Sequence, residues 1–286
     1  MKKILVPIDF SQNAKNAFWV AAEVAQRSGA VLEMLHVNLA SIYTAPLSEY
    51  AAITSYAVDD EQYDESASIQ LEKLKMELLS DPRYASLEVK IRVEDGYLHR
   101  SVRNVVNEDN IDLVVMGTKG SSGISEFLVG SNTEKVIRTA PCPVLAVPEG
   151  MGKFSPKVVL LPSTLKNDQK GVFFYLAKWE KMFNFLVKVL YLNNPSSLPT
   201  DGSAESRKNR LAEAAGLKKT DVIMTTESFF EDTSILSTSD QCNADMIVMA
   251  THQRQGLSHL LFGSITEDTV NHSHIPVLAV PVGWQE

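Results

Sequence analysis

Four residues in one stretch of the chain have the types and spacing to hold a phosphate. They are Gly117, Gly120, Gly130 and Ser131, set in Gly117-Thr-Lys-Gly120-Ser-Ser-Gly-Ile-Ser-Glu-Phe-Leu-Val-Gly130-Ser131-Asn132-Thr133. Glycine has no Cβ, so the backbone at such positions can come close to a ligand. Gly130-Ser131 opens a predicted helix running to about Thr139. The start of a helix offers free N–H donors and a partial positive charge, which suits a phosphate. Ser131 and Thr133 add hydroxyl donors, and Lys119 adds a charge. Glycines after a strand also serve as plain turns. The stretch is not a Walker loop, because no GxxxxGK[ST] exists, and no GxGxxG follows the first strand.

Such a loop works only if strands and helices bring it to a sheet edge. Short β-rich runs alternate with helical patterns along the chain. The predicted strands of the first half are Lys3–Ile8, Val31–Val37, Leu87–Val93, Leu113–Gly117 and Val144–Val147. Several are continuous apolar runs, as parallel strands covered on both faces require. Ala14, Ala17, Phe18, Ala21, Ala22 and Ala25 follow the spacing of a buried helix face, as do Leu71, Leu74, Leu78 and Leu79. Strand–helix alternation implies right-handed crossovers and a parallel sheet. In such a sheet ligands bind beyond the carboxyl ends of the strands, where the strand order reverses.

The unit occurs twice. Pro143-Val-Leu-Ala-Val-Pro148 returns as Pro276-Val-Leu-Ala-Val-Pro281, at an offset of 133. The same offset aligns Asp112-Leu-Val-Val-Met116 with Asp245-Met-Ile-Val-Met249, and Gly130-Ser131 with Gly263-Ser264. Lys3-Ile-Leu-Val-Pro7 aligns with Val158-Val-Leu-Leu-Pro162 at an offset of 155. The difference places an extra segment of 22 residues in the first copy, expected around Asn38 to Asp60. The boundary falls near Glu149-Gly-Met-Gly-Lys153, giving units 1–150 and 151–286. Their formal charges are −7 and −1, and the acidic run Asp59–Glu65 reads as a solvated helix start.

The spacing Gly-x2-Gly-x9-Gly-Ser resembles the nucleotide-binding signature of the ATP-binding branch of the universal stress protein family. Ile4-Leu-Val-Pro7-Ile8-Asp9-Phe10-Ser11 and Ala140-Pro-Cys-Pro-Val-Leu-Ala-Val-Pro148 are similar to that family too, so the likeness spans both halves. It implies two tandem Rossmann-like or flavodoxin-like (adenine nucleotide alpha hydrolase-like) α/β domains, each a five-stranded parallel sheet between helices. It implies ATP as ligand, with AMP or ADP as alternatives and Mg2+ only as the nucleotide's counter-ion. Asp9 would contact the nucleoside beside Pro7, and the backbone at Val37 would hold adenine. Met116, Gly117 and Gly120 would line the ribose and phosphate approach, with Lys119 alongside, and Gly130, Ser131 and Asn132 would hold phosphates. Asp9 has a second reading, as a turn or cap residue before a helix at Ser11. The second half departs from the signature: Ala250 stands for Gly117, Gln253 for Gly120 and Thr164 for Asp9, which predicts an altered or vestigial site.

The resemblance implies a nucleotide-dependent stress-response module. A slow ATPase or nucleotidyl-transfer enzyme and a ligand-free scaffold are the alternatives. No nucleophile–base set or paired carboxylates stand near the loop, so no catalytic residue is assigned. His252, His259, His272 and His274 crowd the second half without an obvious completing ligand, so no metal is expected. Cys142 and Cys242 cannot make a disulfide framework. The net charge of −8 lacks the footprint of a nucleic-acid binder. No apolar run approaches a membrane span and no secretory signal is evident, which predicts a cytoplasmic protein. Val144–Val147 and Val277–Val280 should lie at sheet edges and pair with each other as an intramolecular dimer, with a homodimer and an unidentified protein partner as further assemblies.

Overall fold

A computed structural model of the chain describes residues 1–38, 60–118, 131–192, 203–224, 232–251 and 260–284. The strands are β1 (Lys3–Pro7), β2 (Val31–Asn38), β3 (Val89–Asp95), β4 (Leu113–Gly117), β5 (Val144–Val147), β6 (Val158–Ser163), β7 (Leu186–Tyr191), β8 (Thr220–Met224), β9 (Met246–Thr251) and β10 (Val277–Pro281). The helices are α1 (Gln12–Ser28), α2 (Asp60–Ser80), α3 (Leu98–Asp109), α4 (Ser131–Thr139), α5 (Lys170–Phe183), α6 (Ala204–Ala215), α7 (Asp232–Gln241) and α8 (Leu260–His272).

The strands form one ten-stranded sheet in the order β3-β2-β1-β4-β5-β10-β9-β6-β7-β8. Within each half all pairings are parallel, and the order reverses between β1 and β4 and again between β6 and β9. The apolar faces of α1, α2, α5 and α6 pack on one side of the sheet. Those of α3, α4, α7 and α8 pack on the other. The stripe Ala14, Ala17, Phe18, Ala21, Ala22 and Ala25 is fully or almost fully buried, and so are Leu71, Leu74 and Leu78, with Leu79 at the margin. Small residues along α1 let it lie close to the sheet. Ser11 caps its start by accepting from the Ala14 N–H, and Gly29 ends it with a left-handed φ of 69°.

The halves join at the seam expected from the repeat. β5 and β10 pair antiparallel, with Leu145 opposite Leu278, the two copies of one position. A pseudo-twofold axis therefore runs through that pair. Across it, α4 meets α8: Arg138 donates to both carboxylate oxygens of Glu267, at 2.9 and 2.7 Å. At the symmetry-related place Asn271 donates to Glu134 at 3.5 Å. Phe154 of the connecting segment lies edge-on to Trp179 and Phe183 and ties the connection into the second core.

Three expectations need correction. β1 stops at Pro7, one residue short of Ile8. β3 begins at Val89 rather than Leu87, because Leu87 N–H bonds back to the Tyr84 carbonyl in a turn. The extra residues of the first copy are not confined to Asn38–Asp60: α2 has 21 residues where α6 has 12, so the excess is shared with the helix. Residues 39–59 themselves lie outside the described residues.

Candidate functional site

The strand order reverses between β1 and β4, and the described residues among those assigned from the sequence lie toward the carboxyl edge of the first half. Pro7 ends β1, buried, in register with Leu35. Asp9 follows two residues on and is exposed. Val37, partly buried, is the penultimate residue of β2. Met116 is buried on β4 and Gly117 ends it. Ser131 and Asn132, the latter exposed, are the first described residues of α4. Lys119, Gly120 and Gly130 lie outside the described residues.

The turn after β1 sets the direction of Asp9. Phe10 adopts φ 62°, a left-handed conformation uncommon for an aromatic residue. Its ring packs 4.8 Å from that of His36, whose Nδ1 lies 2.7 Å from the Ile8 carbonyl. Leu165, at the same place in the second half, has φ 55°. The left-handed residue thus belongs to the fold of both halves and not to one ligand. Asp9 Oδ1 accepts from the Ser11 N–H at 3.0 Å and from its hydroxyl at 2.5 Å. This carboxylate therefore holds the turn between β1 and α1.

Gly117 has a tighter reason to be glycine than ligand approach. A Cβ there would sit 2.9 Å from the Asn13 carbonyl oxygen and 3.0 Å from its carbon. The missing side chain admits the first turn of α1 against the end of β4. Thr133 also differs from expectation: it is buried, and its hydroxyl donates to the Gly117 carbonyl at 3.0 Å, so it braces α4 to β4 and is not a ligand donor.

Asn13 is the residue that sequence reasoning missed. It is 8% exposed, and among the described residues its Oδ1 has no hydrogen-bond partner. It lies in the first turn of α1 against Gly117, so this acceptor is buried beside the end of β4. The signal in the sequence is one polar residue, Asn13, beginning an otherwise alanine-rich buried stripe. On the α3 side the surroundings are cationic. Burial, followed by Lys135, Arg100 and Arg103, holds the His99 imidazole below its ordinary value.

The second half is built differently at each of these points. Thr164 replaces Asp9, and the turn is held instead by Ser163, whose hydroxyl accepts from the Leu165 N–H at 3.0 Å. Ala250 is accommodated inside β9, opposite Val280. Gln253 lies outside the described residues. Ser264 lies inside α8 (Leu260–His272), and α4 is described from Ser131 onward. His272 ends α8 with Nδ1 2.9 Å from the Asp268 carbonyl. Among the described residues no three His, Cys, Asp or Glu side chains lie close enough to share a metal, and no helix is long and apolar enough to cross a membrane.

Comparison with known proteins follows the same division. The family model described as the universal stress protein family matches residues 1–148 and 186–281. A protein of Staphylococcus haemolyticus (strain JCSC1435), named as a universal stress protein, is 33% identical over 148 residues, 51% of this chain and 84% of that protein. One from Staphylococcus aureus (strain USA300) is 32% identical over 161 residues, 55% of this chain and 91% of its own length. The crystal structure of a universal stress protein from Archaeoglobus fulgidus DSM 4304 covers 99% of this chain and 97% of its own, with a TM-score of 0.71 at 19% identity, a likeness of fold.

Proposed function

The chain belongs to the universal stress protein family, and from that premise we propose that it binds one adenine nucleotide, ATP, in residues 1–150 and acts as a nucleotide-dependent stress-response module of the cytoplasm. The observation that carries this is the set of groups at the switch point of the first half: Pro7 and Asp9 after β1, Val37 near the end of β2, and Met116 and Gly117 at the end of β4, where the second half has Thr164 for Asp9 and Ala250 for Gly117. Asp9 supplies a carboxylate and Asn13 a buried acceptor at the same switch point, and ribose hydroxyls are donors suited to both. AMP and ADP fit the same groups less fully, since they leave phosphate contacts at Gly130, Ser131 and Asn132 unused. Mg2+ accompanies the nucleotide as its counter-ion, and hydrolysis is slow and incidental, because no general base or nucleophile is assigned at the switch point.

Two measurements test the reading. Isothermal titration with ATP should give one site per chain, and mass spectrometry of the purified protein should find adenine nucleotide carried with it. Gly120→Gln, which imports the residue found at the same place in the second copy, should abolish both. Two equivalent sites, or none in the unaltered chain, would overturn the proposal.

A further inference from the structure

We propose that the second half holds a site for a phosphoryl oxyanion, built on Arg207 and Lys208 of α6. The two side chains are adjacent cations, and both are buried, at 6% and 4% exposure. They share the sheet-facing side of the helix with Ala204, Leu211 and Ala212. Among the described residues one carboxylate answers them. Lys208 Nζ pairs at 2.7 Å with Glu205, which is itself 58% exposed. Among the described residues no carboxylate lies within ion-pair distance of Arg207, and its Nε is buried with no hydrogen-bond partner.

Arg207 is instead oriented by an aromatic residue. Its Nη2 donates to the Tyr191 hydroxyl at 2.8 Å, and its guanidinium carbon lies 5.0 Å from the centre of that ring. Tyr191 ends β7, in register with Ser163 and Met224, so the guanidinium is fixed at the carboxyl edge of the second half, where open α/β sheets take ligands. Burying a cation without a counter-charge is unfavourable, and a free Nε–H out of water adds to that. Both costs are relieved by one kind of partner. A planar fork with an unused Nε–H binds an oxyanion through two parallel hydrogen bonds. Two cations against one carboxylate leave a net positive charge, and the several acceptor oxygens of a phosphoryl group suit a planar Arg207 fork beside the Lys208 ammonium. The source is inorganic phosphate or the phosphoryl group of a larger metabolite. The site is independent of the nucleotide reading for the first half, since its donors come from α6 and not from the glycine loop. In the first copy the corresponding helix opens with Asp60, Glu61, Asp64 and Glu65, so the basic pair is particular to the second half.

Hydrogen exchange of the full chain, read by mass spectrometry on peptides covering 203–215, reports this site separately from the first half. Inorganic phosphate on the order of 10 mM, enough to fill a site of millimolar Kd, should slow exchange in α6 severalfold relative to chloride at equal ionic strength. A phosphomonoester such as glycerol phosphate distinguishes the sources: stronger protection than by phosphate assigns a metabolite, equal or weaker protection assigns the free ion. Arg207→Gln should remove the effect. Unchanged exchange in phosphate, or equal protection by chloride, overturns the proposal. Thermal melting of Arg207→Met gives a second readout. That variant should melt at or above the unaltered chain in phosphate-free buffer and below it in phosphate. An equal fall in both buffers would make Arg207 a structural brace and end the proposal.

Discussion

Adding one methyl group at Gly117 should cost more stability than an ordinary surface change, and the structure says where the cost arises. The new Cβ would lie 2.9 Å from the Asn13 carbonyl oxygen, 3.0 Å from its carbon and 3.1 Å from its Cβ. Two of those three atoms are backbone, so no rotamer change relieves the clash. Both sides are also anchored. α1 is held by its Ser11 cap, and the end of β4 by the Thr133 hydroxyl and by pairing with Val147. Overpacking of a well-packed contact costs about 1–3 kcal/mol, and the two anchors put Gly117→Ala near the middle, at about 2 kcal/mol. Urea denaturation followed by circular dichroism measures it. The mirror change Ala250→Gly, where the fold already accommodates a methyl group that is 4% exposed, should lose only about 1 kcal/mol, from the glycine's chain entropy and a small void. A loss below about 0.5 kcal/mol for Gly117→Ala would show that α1 and β4 slide freely past one another and refute the reasoning.

Asp9→Ala should weaken ATP by about 1.5–3 kcal/mol, on the order of ten- to a hundredfold, and inorganic triphosphate much less; equal losses in titration calorimetry would assign Asp9 to the Ser11 turn alone. Residues 1–150 expressed alone expose β5, and sedimentation should find the fragment self-associated; a folded monomer at high micromolar concentration would contradict this. Asn271→Arg should complete with Glu134 the ion pair that Arg138 makes with Glu267, for a gain of about 0.2–1 kcal/mol that fades in high salt. Burial pushes the Cys142 thiol up to about 12. The unfolded chain loses that proton near its ordinary value of about 8.5, so this thiol's contribution to stability should fall as pH rises from there toward 12. Alkylation of Cys142 at about pH 9 should proceed only as fast as the chain opens, and rapid labelling of folded protein would count against the burial.

The architecture was legible because its signals are local or repeated. Apolar runs such as Leu113–Met116 announce buried parallel strands, and the register of Val144–Val147 with Val277–Val280 follows from one strand occurring twice at sheet edges. What stayed hidden depends on residues far apart in sequence. Gly117 invites a ligand reading until Asn13, 104 positions earlier, is seen pressing on it. Thr133 looks like a donor for phosphate because nothing in its neighbours in sequence reveals that the Gly117 carbonyl claims its hydroxyl. Arg207 and Lys208 stand in a helix full of polar residues, and their burial shows only in the folded chain.

The antiparallel seam between β5 and β10 has a consequence for how such a protein can change. In a dimer of identical chains every substitution appears on both sides of the axis, so a residue must suit its own image and a binding site is kept or lost in pairs. Joining the copies through the segment after Val147 holds the seam at a high effective concentration that dilution cannot lower. It also releases each side from matching the other. Arg138 with Glu267 on one flank and Asn271 with Glu134 on the other show that release already at the contact itself. Because the halves run in opposite directions across the seam, their carboxyl edges open on opposite sides of the sheet. One polypeptide thus carries two unlike carboxyl edges at remote places, in a fixed one-to-one ratio, with no need to sort partners.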